Sequence, residues 1–306
     1  SGLEHPATLS VSLFPSHLVD ELVAAVDRKS LVRAAEDVST RYRRESDAPL
    51  QLKNETEALA YAASRMPATF AAVDHVLSAM DAKPGSVFDF GAGPGTATLV
   101  AQHYWPEAQT ILLEPNISMR DVAKKLIPGA TFVDAPKKAD IVIAAYVLNE
   151  LPAPIKMAEQ LWNAAQDRLV LIDTGTSAVS AMMRDVRAHL IGLGAHIHAP
   201  CPHEMECPFT RATEGWCHFS VRLERTKLHK ALKDAALGYE DEKFTYIVAG
   251  RQPLATSGAR VIGYPRIGKV IDVPLCMPDG MLKNAQVAKR DDNYKRAKKL
   301  RWGDVF

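Results

Sequence analysis

The chain has 306 residues, of which 47% are hydrophobic and 24% charged, and its formal net charge is +1. This composition is ordinary for a folded globular protein, and the length allows one large domain or two smaller ones. A net charge this small excludes a protein-wide positive potential that would attract nucleic acid. Any basic surface for nucleic acid must therefore be local. No uninterrupted apolar run approaches the ~20 residues that span a bilayer, so no membrane partner is expected.

Residues 1–82 are predicted to form a helical N-terminal region. Helices are expected from Ser16 onward, over 30–42 and over 55–66. Pro67 is expected to be the first residue of a fourth helix, because proline suits the first helical position. No Gly-, Ser- or Pro-rich linker follows, so this region is expected to pack against the core.

The stretch from Val87 to Thr96 predicts a buried strand, a glycine-rich turn and a helix. The turn carries Gly91, Gly93 and Gly95, which tolerate positive φ and let a ligand approach the backbone closely. Strand, Gly-rich turn and helix in this order begin a nucleotide-binding α/β unit. The dinucleotide pattern G-x-G-x-x-G is not matched, because Thr96 occupies its third glycine position. A nicotinamide site and a tight turn without a ligand both stay open.

Polar residues are expected where the strands of this unit end. Glu114 ends a strand about 20 residues after the glycines, where an acid can accept hydrogen bonds from ribose hydroxyls. Asp89 precedes the turn, Asp134 follows a short strand over 130–133, and Asn149 lies just beyond a strand over 141–145. Ligands of open α/β sheets bind outside the carboxyl ends of the strands, so these residues and the glycines are predicted to share a cofactor site.

Strand and helix patterns alternate through residues 83–197, which predicts a parallel sheet as the second domain. The motif Ser118-x-x-Asp121 is expected to cap the helix after Glu114. Further helices are expected over 155–165 and 181–193, with a strand over 168–173 between them. A late strand over 244–249 is expected beyond this core.

Residues 198–306 are the third predicted part, and all four cysteines lie there. Cys201, Cys207 and Cys217 fall within 17 residues, and Cys276 follows much later. Clustered thiols in a reducing compartment favour metal ligation over disulfides, and the spacing leaves zinc and an iron–sulfur cluster open. A catalytic cysteine and unrelated small hydrophobic residues are the other interpretations.

Two basic segments are candidates for RNA contact. The first is Arg222–Lys233 and the second is the tail Lys289–Arg301. Their positive charge would bind phosphates, and the alternative is a solvated surface.

Several motifs together resemble the methyltransferase-like proteins of the mitochondrial small ribosomal subunit and their bacterial relatives. These motifs are residues 57–69, the Gly91–Gly95 turn, Asn149-Glu150-Leu151, Cys201-Pro202-His203-x3-Cys207-Pro208 and Leu275-Cys276-x-Pro278-Asp279-Gly280. The resemblance implies a class I methyltransferase fold that binds S-adenosylmethionine and associates with small-subunit ribosomal RNA during ribosome assembly. It also implies a [4Fe–4S] cluster on Cys201, Cys207, Cys217 and Cys276. Asp173-Thr174-Gly175-Thr176 departs from the expected Glu-Pro-Gly-Thr.

The expected fold is therefore α/β, with a Rossmann-like class I methyltransferase sheet, a helical N-terminal region and a Cys-rich, metal-binding C-terminal extension. The expected function is an S-adenosylmethionine-binding, methyltransferase-like protein that acts on or binds small-subunit ribosomal RNA. The alternatives are a catalytically inactive RNA-binding assembly factor and a zinc-containing methyltransferase of another substrate. No catalytic residue is assigned, and Glu150 is a candidate base only if it faces a substrate pocket. A monomer is expected, in the cytoplasm of a bacterium or the mitochondrial matrix of a eukaryote.

Overall fold

The computed structural model describes residues 14–44, 52–212, 214–233, 236–255 and 258–306. The described residues fall into two compact units. The first draws on residues 14–137, 143–152 and 221–242, and the second on 138–142, 153–220 and 243–306. Within this part of the chain, no helix has both the length and the apolar character needed to cross a lipid bilayer.

The first unit begins with the three expected helical segments. They are α1 (Ser16–Val23), α2 (Arg28–Arg44) and α3 (Glu55–Leu77). The cap of α3 is Asn54, whose side chain accepts a hydrogen bond from the Glu57 N–H over 3.0 Å. The prediction that Pro67 starts a new helix is wrong, because α3 continues through it. Proline removes one helical hydrogen bond, but the helix on both sides is alanine-rich and buried, and packing outweighs that loss.

The remaining elements alternate largely as predicted from residue 86 to residue 199, and strands predominate beyond it. The later helices are α4 (Thr96–Tyr104), α5 (Ile117–Leu126), α6 (Pro154–Ala164), α7 (Ser177–Gly192), α8 (Lys227–Leu232) and α9 (Tyr294–Ala297). The strands are β1 (Ser86–Phe90), β2 (Gln109–Leu113), β3 (Thr131–Phe132), β4 (Ala139–Ala145), β5 (Ala165–Thr174), β6 (His196–Ala199), β7 (Phe219–Glu224), β8 (Tyr239–Gly250), β9 (Arg260–Val261), β10 (Arg266–Ile267), β11 (Val270–Cys276) and β12 (Leu282–Ala288).

The main sheet has the strand order β3-β2-β1-β4-β5-β8-β6, and β7 also pairs with β8. β2 runs parallel to both β1 and β3, with Phe90 opposite Leu113 at the end of the β1–β2 pair. β8 runs antiparallel to β5 and to β6. The expected mixed α/β, Rossmann-like sheet is therefore confirmed, and the late strand joins it in the antiparallel sense.

The cap of α5 differs from the prediction. The side chain of Asn116, rather than that of Ser118, accepts the hydrogen bond from the Met119 N–H, over 3.1 Å. Asn and Ser are both good caps, and Asn116 directly precedes the first helical residue. The prediction of a capping box at Ser118 and Asp121 is therefore wrong, because the helix cap lies two residues earlier, at Asn116.

A second, four-stranded sheet lies within the second unit. β11 pairs antiparallel with β12, β10 and β9, which aligns Cys276 with Leu282 on one side and Arg260 on the other. The sheet packs around an apolar core that includes Val261, Ile271 and Val273, each fully buried. The last thiol of the chain therefore lies at the end of a paired, well-packed strand.

Candidate functional site

A cavity of about 250 Å³ lies in the first unit, where β1, β2 and β4 end. Its wall combines residues of α3, the turn after β1, the end of β2 with the start of α5, and the segment after β4. This volume is just below the range of about 300–1,000 Å³ that small-molecule sites commonly occupy. The cavity lies outside the carboxyl ends of the strands, where the sequence predicts a ligand.

The glycine turn forms one side of this cavity. Gly91, Gly93 and Gly95 all have positive φ, at 68°, 54° and 85°. A Cβ on Gly91 would lie 2.7 Å from Cγ2 of Val147, the second residue after β4, so this position also needs the absence of a side chain. Gly91 and Gly93 line the cavity, whereas Gly95 caps α4 and packs on Ile127 of the α5 end.

Glu114 joins the turn to the end of β2. It is buried, and its carboxylate accepts hydrogen bonds from the N–H groups of Gly93 over 2.7 Å and Asn116 over 2.8 Å. Burial raises the pKa of Glu114, although these two N–H groups oppose the change. A carboxylate offers about four lone-pair positions, so it retains capacity for hydroxyl donors of a ligand.

Asp89 also lines the cavity, and it fastens the helix after the turn. Its carboxylate is fully buried and accepts hydrogen bonds from the Thr98 backbone over 3.0 Å and the Thr98 hydroxyl over 2.7 Å. Burial raises the pKa of Asp89 to about 6, and the nearby Glu114 charge acts in the same direction. Asp89 therefore orients the first turn of α4 at the cavity.

Besides Gly95, two residues of the predicted cofactor site lie outside the cavity wall. The Asp134 side chain is 89% exposed and forms an ion pair with Arg120 over 2.9 Å. Asn149 lies in a short 3-10 turn, Leu148–Glu150, whose last residue does line the cavity. Cofactor contacts by Asp134 and Asn149 stay predictions.

Sequence reasoning missed several residues of the wall. Tyr61, Met66 and Thr69 come from α3, whose residues 57–69 enter the family resemblance but are not predicted to belong to the site. Tyr146 follows β4 and has a φ of 57°, a value that no local sequence signal indicates. Glu150 lines the same cavity as the candidate cofactor residues, and its role as a base stays a prediction.

The four cysteines lie in the second unit as free thiols. Burial is the largest cause that raises the pKa of Cys207, Cys217 and Cys276. The charge of Cys201 raises all three pKa values further, and Cys217 also responds to Cys207 and Cys276. The fold therefore brings the four thiols within electrostatic range of one another, across 75 residues of sequence. Among the described residues, no group of three or more His, Cys, Asp or Glu side chains is assembled as a metal-ion site.

The segment that carries Cys201, Cys207 and Cys217, called the cysteine loop below, is anchored to α7 through its backbone. The Ser180 hydroxyl donates to the Cys217 carbonyl over 2.8 Å. Two turns later, the buried Arg187 guanidinium donates to the carbonyls of Met205 over 2.9 Å and His203 over 2.6 Å. These bonds fix both ends of the loop on one face of the helix.

His203 connects this loop to Cys276. The histidine is buried, and its Nε2 lies 3.5 Å from the Cys276 Sγ. Burial and the neighbouring Arg187 lower the pKa of His203. The contact brings the loop and the end of β11 together at the thiols.

The two basic segments differ in how their charge is balanced. Within Arg222–Lys233, Arg222 pairs with Asp241 over 2.7 Å, while Arg225 and Lys233 pair with Glu240 over 3.2 Å and 2.6 Å. These cations are thus neutralised largely within the fold. The basic residues of the tail are all exposed, and they are Lys289, Arg290, Lys295, Arg296, Lys298, Lys299 and Arg301.

The family model described as mitochondrial small ribosomal subunit Rsm22 matches residues 55–306. The chain belongs to the Rsm22 family. The family predicted from the sequence motifs is therefore confirmed. The match includes the cavity, the cysteine loop and the basic tail.

Curated relatives of this Rsm22 family chain include mitochondrial proteins and trans-aconitate 2-methyltransferases. The human mitochondrial ribosome assembly protein METTL17 is 28% identical over 293 residues, which cover 81% of this chain and 62% of that protein. The Rsm22-cox11 tandem protein 2 of Schizosaccharomyces pombe, also mitochondrial, is 23% identical over 371 residues, which cover 94% of this chain and 49% of that protein. The chain thus spans about half to three fifths of the length of these relatives. A trans-aconitate 2-methyltransferase of Afipia carboxidovorans is 27% identical over 190 residues, covering 55% of this chain and 71% of that protein.

Solved structures similar to this Rsm22 family chain include two that are named as methyltransferases. Magnesium protoporphyrin IX methyltransferase from Synechocystis PCC 6803, with bound S-adenosylmethionine, has 18% identity and a TM-score of 0.40, covering 75% of this chain and 99% of that one. A putative RNA methyltransferase from Pyrococcus horikoshii has 12% identity and a TM-score of 0.39, covering 73% of this chain and 95% of that one.

Proposed function

We propose that this Rsm22 family protein binds S-adenosylmethionine in the cavity at the ends of β1, β2 and β4. The observation that carries the proposal is the 2.7 Å bond from the Gly93 N–H to the Glu114 carboxylate. It brings an acid suited to ribose hydroxyls beside a glycine turn suited to close backbone contact. The Glu114 carboxylate would hold the ribose, and the turn would face the amino-acid part of the ligand.

Calorimetry with the full chain tests this proposal. Titration with S-adenosylmethionine is expected to give saturable binding with a stoichiometry of one. The parallel titration with NAD is expected to give none, because the third glycine of the dinucleotide fingerprint is replaced by Thr96. Binding of NAD with no binding of S-adenosylmethionine would reject the proposal.

The biological role that we propose is assembly of the small ribosomal subunit. The family description and the name of the human relative support it, since that relative is a ribosome assembly protein. The same role applies in mitochondria or in a bacterial cytoplasm. Association with small ribosomal subunits in sedimentation of cell extract is expected, and a protein found only in the unbound fraction would argue against it.

Two versions of this role differ in chemistry. In the first, the protein transfers a methyl group to ribosomal RNA, and Glu150 in the cavity wall is its candidate general base. In the second, it is an RNA-binding assembly factor without catalysis. A transfer assay with radiolabelled S-adenosylmethionine and immature small-subunit RNA separates them. Label in RNA that is lost in Glu150→Gln supports the enzyme, and ribosome association without label supports the assembly factor.

A [4Fe–4S] cluster on Cys201, Cys207, Cys217 and Cys276 is the next part of the proposal. The donor set suits such a group, because all four residues are free thiols and the loop meets the end of β11 where His203 Nε2 lies 3.5 Å from the Cys276 Sγ. When bound, the cluster would supply a centre of four irons held by thiolates. The chain itself contributes three thiols from the anchored loop and one from the end of β11, so the group would fasten the loop to the second sheet. Zinc with four thiolates is the alternative.

Anaerobic purification with metal analysis decides between these groups. About four irons per chain with broad visible absorption would support the cluster. Stoichiometric zinc without iron, in protein made with ample iron and without oxygen, would reject it. The Cys276→Ser variant is expected to lose the metal and to loosen residues 198–276. The matched control is Met277→Leu, because it changes the neighbouring side chain and keeps the thiol.

The basic tail Lys289–Arg301 is proposed as the RNA-binding surface. Its cations are exposed, whereas those of Arg222–Lys233 are paired within the fold. Replacing Lys295, Lys298 and Lys299 by Ala should weaken binding to small-subunit RNA and reduce the salt dependence of log K by about 0.7–0.9 per lost phosphate contact. The control replaces the exposed Lys83, Lys137 and Lys138, which removes the same charge elsewhere. An equal loss in both variants would assign the effect to net charge.

A further inference from the structure

Tyr146 has an unusual backbone conformation at the cavity. It is the one non-glycine residue of the described chain with positive φ, at 57°. A large side chain rarely adopts this conformation, and such residues cluster at ligand-binding sites where the surrounding structure holds them in place. Tyr146 follows β4 directly and lines the cavity.

The far end of the Tyr146 side chain is held by a hydrogen bond. The phenol Oη donates to Glu242 Oε1 over 2.9 Å, and Arg65 Nη2 donates to the same oxygen over 3.4 Å. Glu242 is buried in β8, and Arg65 comes from α3. A ring fixed at both ends is a rigid part of the wall.

The wall around this ring favours a cation. Asp89, Glu114 and Glu150 all line the cavity, and its described lining includes no Lys or Arg. A cleft lined by charges of one sign concentrates ligands of the opposite sign. An aromatic ring adds a further attraction, because its face carries negative quadrupolar charge.

The part of the ligand closest to Tyr146 follows from its neighbours. The sulfur of S-adenosylmethionine joins the ribose to the amino-acid chain, so it would lie between the ribose held by Glu114 and the amino-acid part that faces the glycine turn. Val147, next to Tyr146, lies against Gly91 of that turn. The segment after β4 thus reaches the cavity wall at the turn.

We propose that the ring of Tyr146 contacts the sulfonium of S-adenosylmethionine and makes the cavity select this charged ligand over the neutral S-adenosylhomocysteine. The inference rests on the proposed binding of S-adenosylmethionine. It adds the residue that would distinguish the positively charged sulfonium from a neutral thioether. As a consequence, S-adenosylhomocysteine, the product of methyl transfer, would leave the cavity more readily than the methyl donor.

Calorimetry with both ligands tests the inference. The measured quantity is the ratio of the Kd for S-adenosylhomocysteine to the Kd for S-adenosylmethionine. Tyr146→Leu is expected to lower this ratio by about 3- to 10-fold, the effect of losing one cation–π contact, while Tyr146→Phe keeps the ring and most of the ratio. Tyr239→Leu is the matched control, because this exposed tyrosine of β8 contacts Arg222 and is outside the cavity wall.

The outcomes separate the inference from the proposed function. Wild-type protein that binds neither ligand would reject the proposed function. Wild-type protein that binds both, with an unchanged ratio in Tyr146→Leu, would overturn the inference alone, and so would a ratio that falls only in Tyr61→Leu. Should Tyr146→Leu fail to fold, fluorinated phenylalanines at position 146 keep the shape and weaken the ring face. The ratio is then expected to fall with each added fluorine, and a constant ratio would overturn the inference.

Discussion

The backbone N–H of Gly93 donates to the carboxylate of Glu114 over 2.7 Å, across 21 residues of sequence. The acid that we propose to hold the ribose therefore also fixes the turn that we propose to face the rest of the ligand. A substitution of this one side chain should affect both ligand binding and the order of the turn.

Replacing Glu114 by Ala is expected to weaken binding of S-adenosylmethionine by about 1–3 kcal/mol, because a charged hydrogen-bond acceptor is lost. Glu114→Gln retains an amide oxygen for the Gly93 N–H and should fall between wild type and Ala. Calorimetry measures both variants, and Asp121→Ala on the exposed side of α5 is the control. Wild-type affinity in Glu114→Ala would remove Glu114 from the site.

Asp89 is expected to make the fold less stable as pH rises. Its folded pKa of about 6 exceeds the ordinary value of 3.8, so the fold favours the protonated acid. The stabilisation is complete below about pH 4 and is lost as pH rises through 6, a change of about 3 kcal/mol. Asp89→Asn should remove this contribution, and urea unfolding of both proteins between pH 4 and 7 measures the difference. Parallel curves for the two proteins would contradict the prediction.

Glu240 is expected to stabilise the first unit through its partly buried ion pairs. Burial acts to raise its pKa, but hydrogen bonds with His229 and Lys233 outweigh it and hold the pKa well below the ordinary range. Glu240→Gln leaves Lys233 and Arg225 without their charged partner, so we expect a loss of about 3 kcal/mol in unfolding free energy at pH 7.

The pH dependence and a neighbouring variant check this prediction. Because the folded pKa of Glu240 is lowered, the advantage of wild type over Glu240→Gln should shrink as pH falls below about 4.5. Asp241→Asn removes the partly exposed pair with Arg222 and should cost less than about 1 kcal/mol. Equal losses in the two variants would show that burial does not distinguish the pairs.

Arg187 is expected to control the order of the cysteine loop. Arg187→Met keeps an apolar stem but leaves the carbonyls of His203 and Met205 without their donor. We expect faster proteolysis between residues 200 and 218, measured by mass spectrometry of timed digests, and reduced metal content. Asp185→Ala, on the exposed side of α7, is the control. Unchanged cleavage in Arg187→Met would mean that other contacts hold the loop.

Much of the first unit could be predicted because its signals are local. The apolar strand before Gly91, the glycines and the acid at Glu114 lie within 28 residues, and each reflects a simple backbone or burial requirement. The alternation of strand and helix then indicates which strand ends lie at the same edge of the sheet. The glycine turn and the acid were accordingly found where the sequence predicts them.

The parts that could not be predicted depend on contacts distant in sequence. Tyr146 and Glu242 are 96 residues apart, and no periodicity connects them. The pairing of Arg222 with Asp241 depends on the approach of two strands, so the basic segment reads as free charge in the sequence. Pro67 misleads for a related reason, because buried tertiary packing compensates for its local effect on the helix.

The anchoring of the cysteine loop has a consequence for its evolution. Arg187 and Ser180 bind carbonyl oxygens of residues 203, 205 and 217, and every amino acid carries that group. Substitutions at Met205 therefore leave the anchor intact, whereas α7 must keep a guanidinium at position 187. Relatives should thus vary more in the loop between its cysteines than on the helix face that supports it.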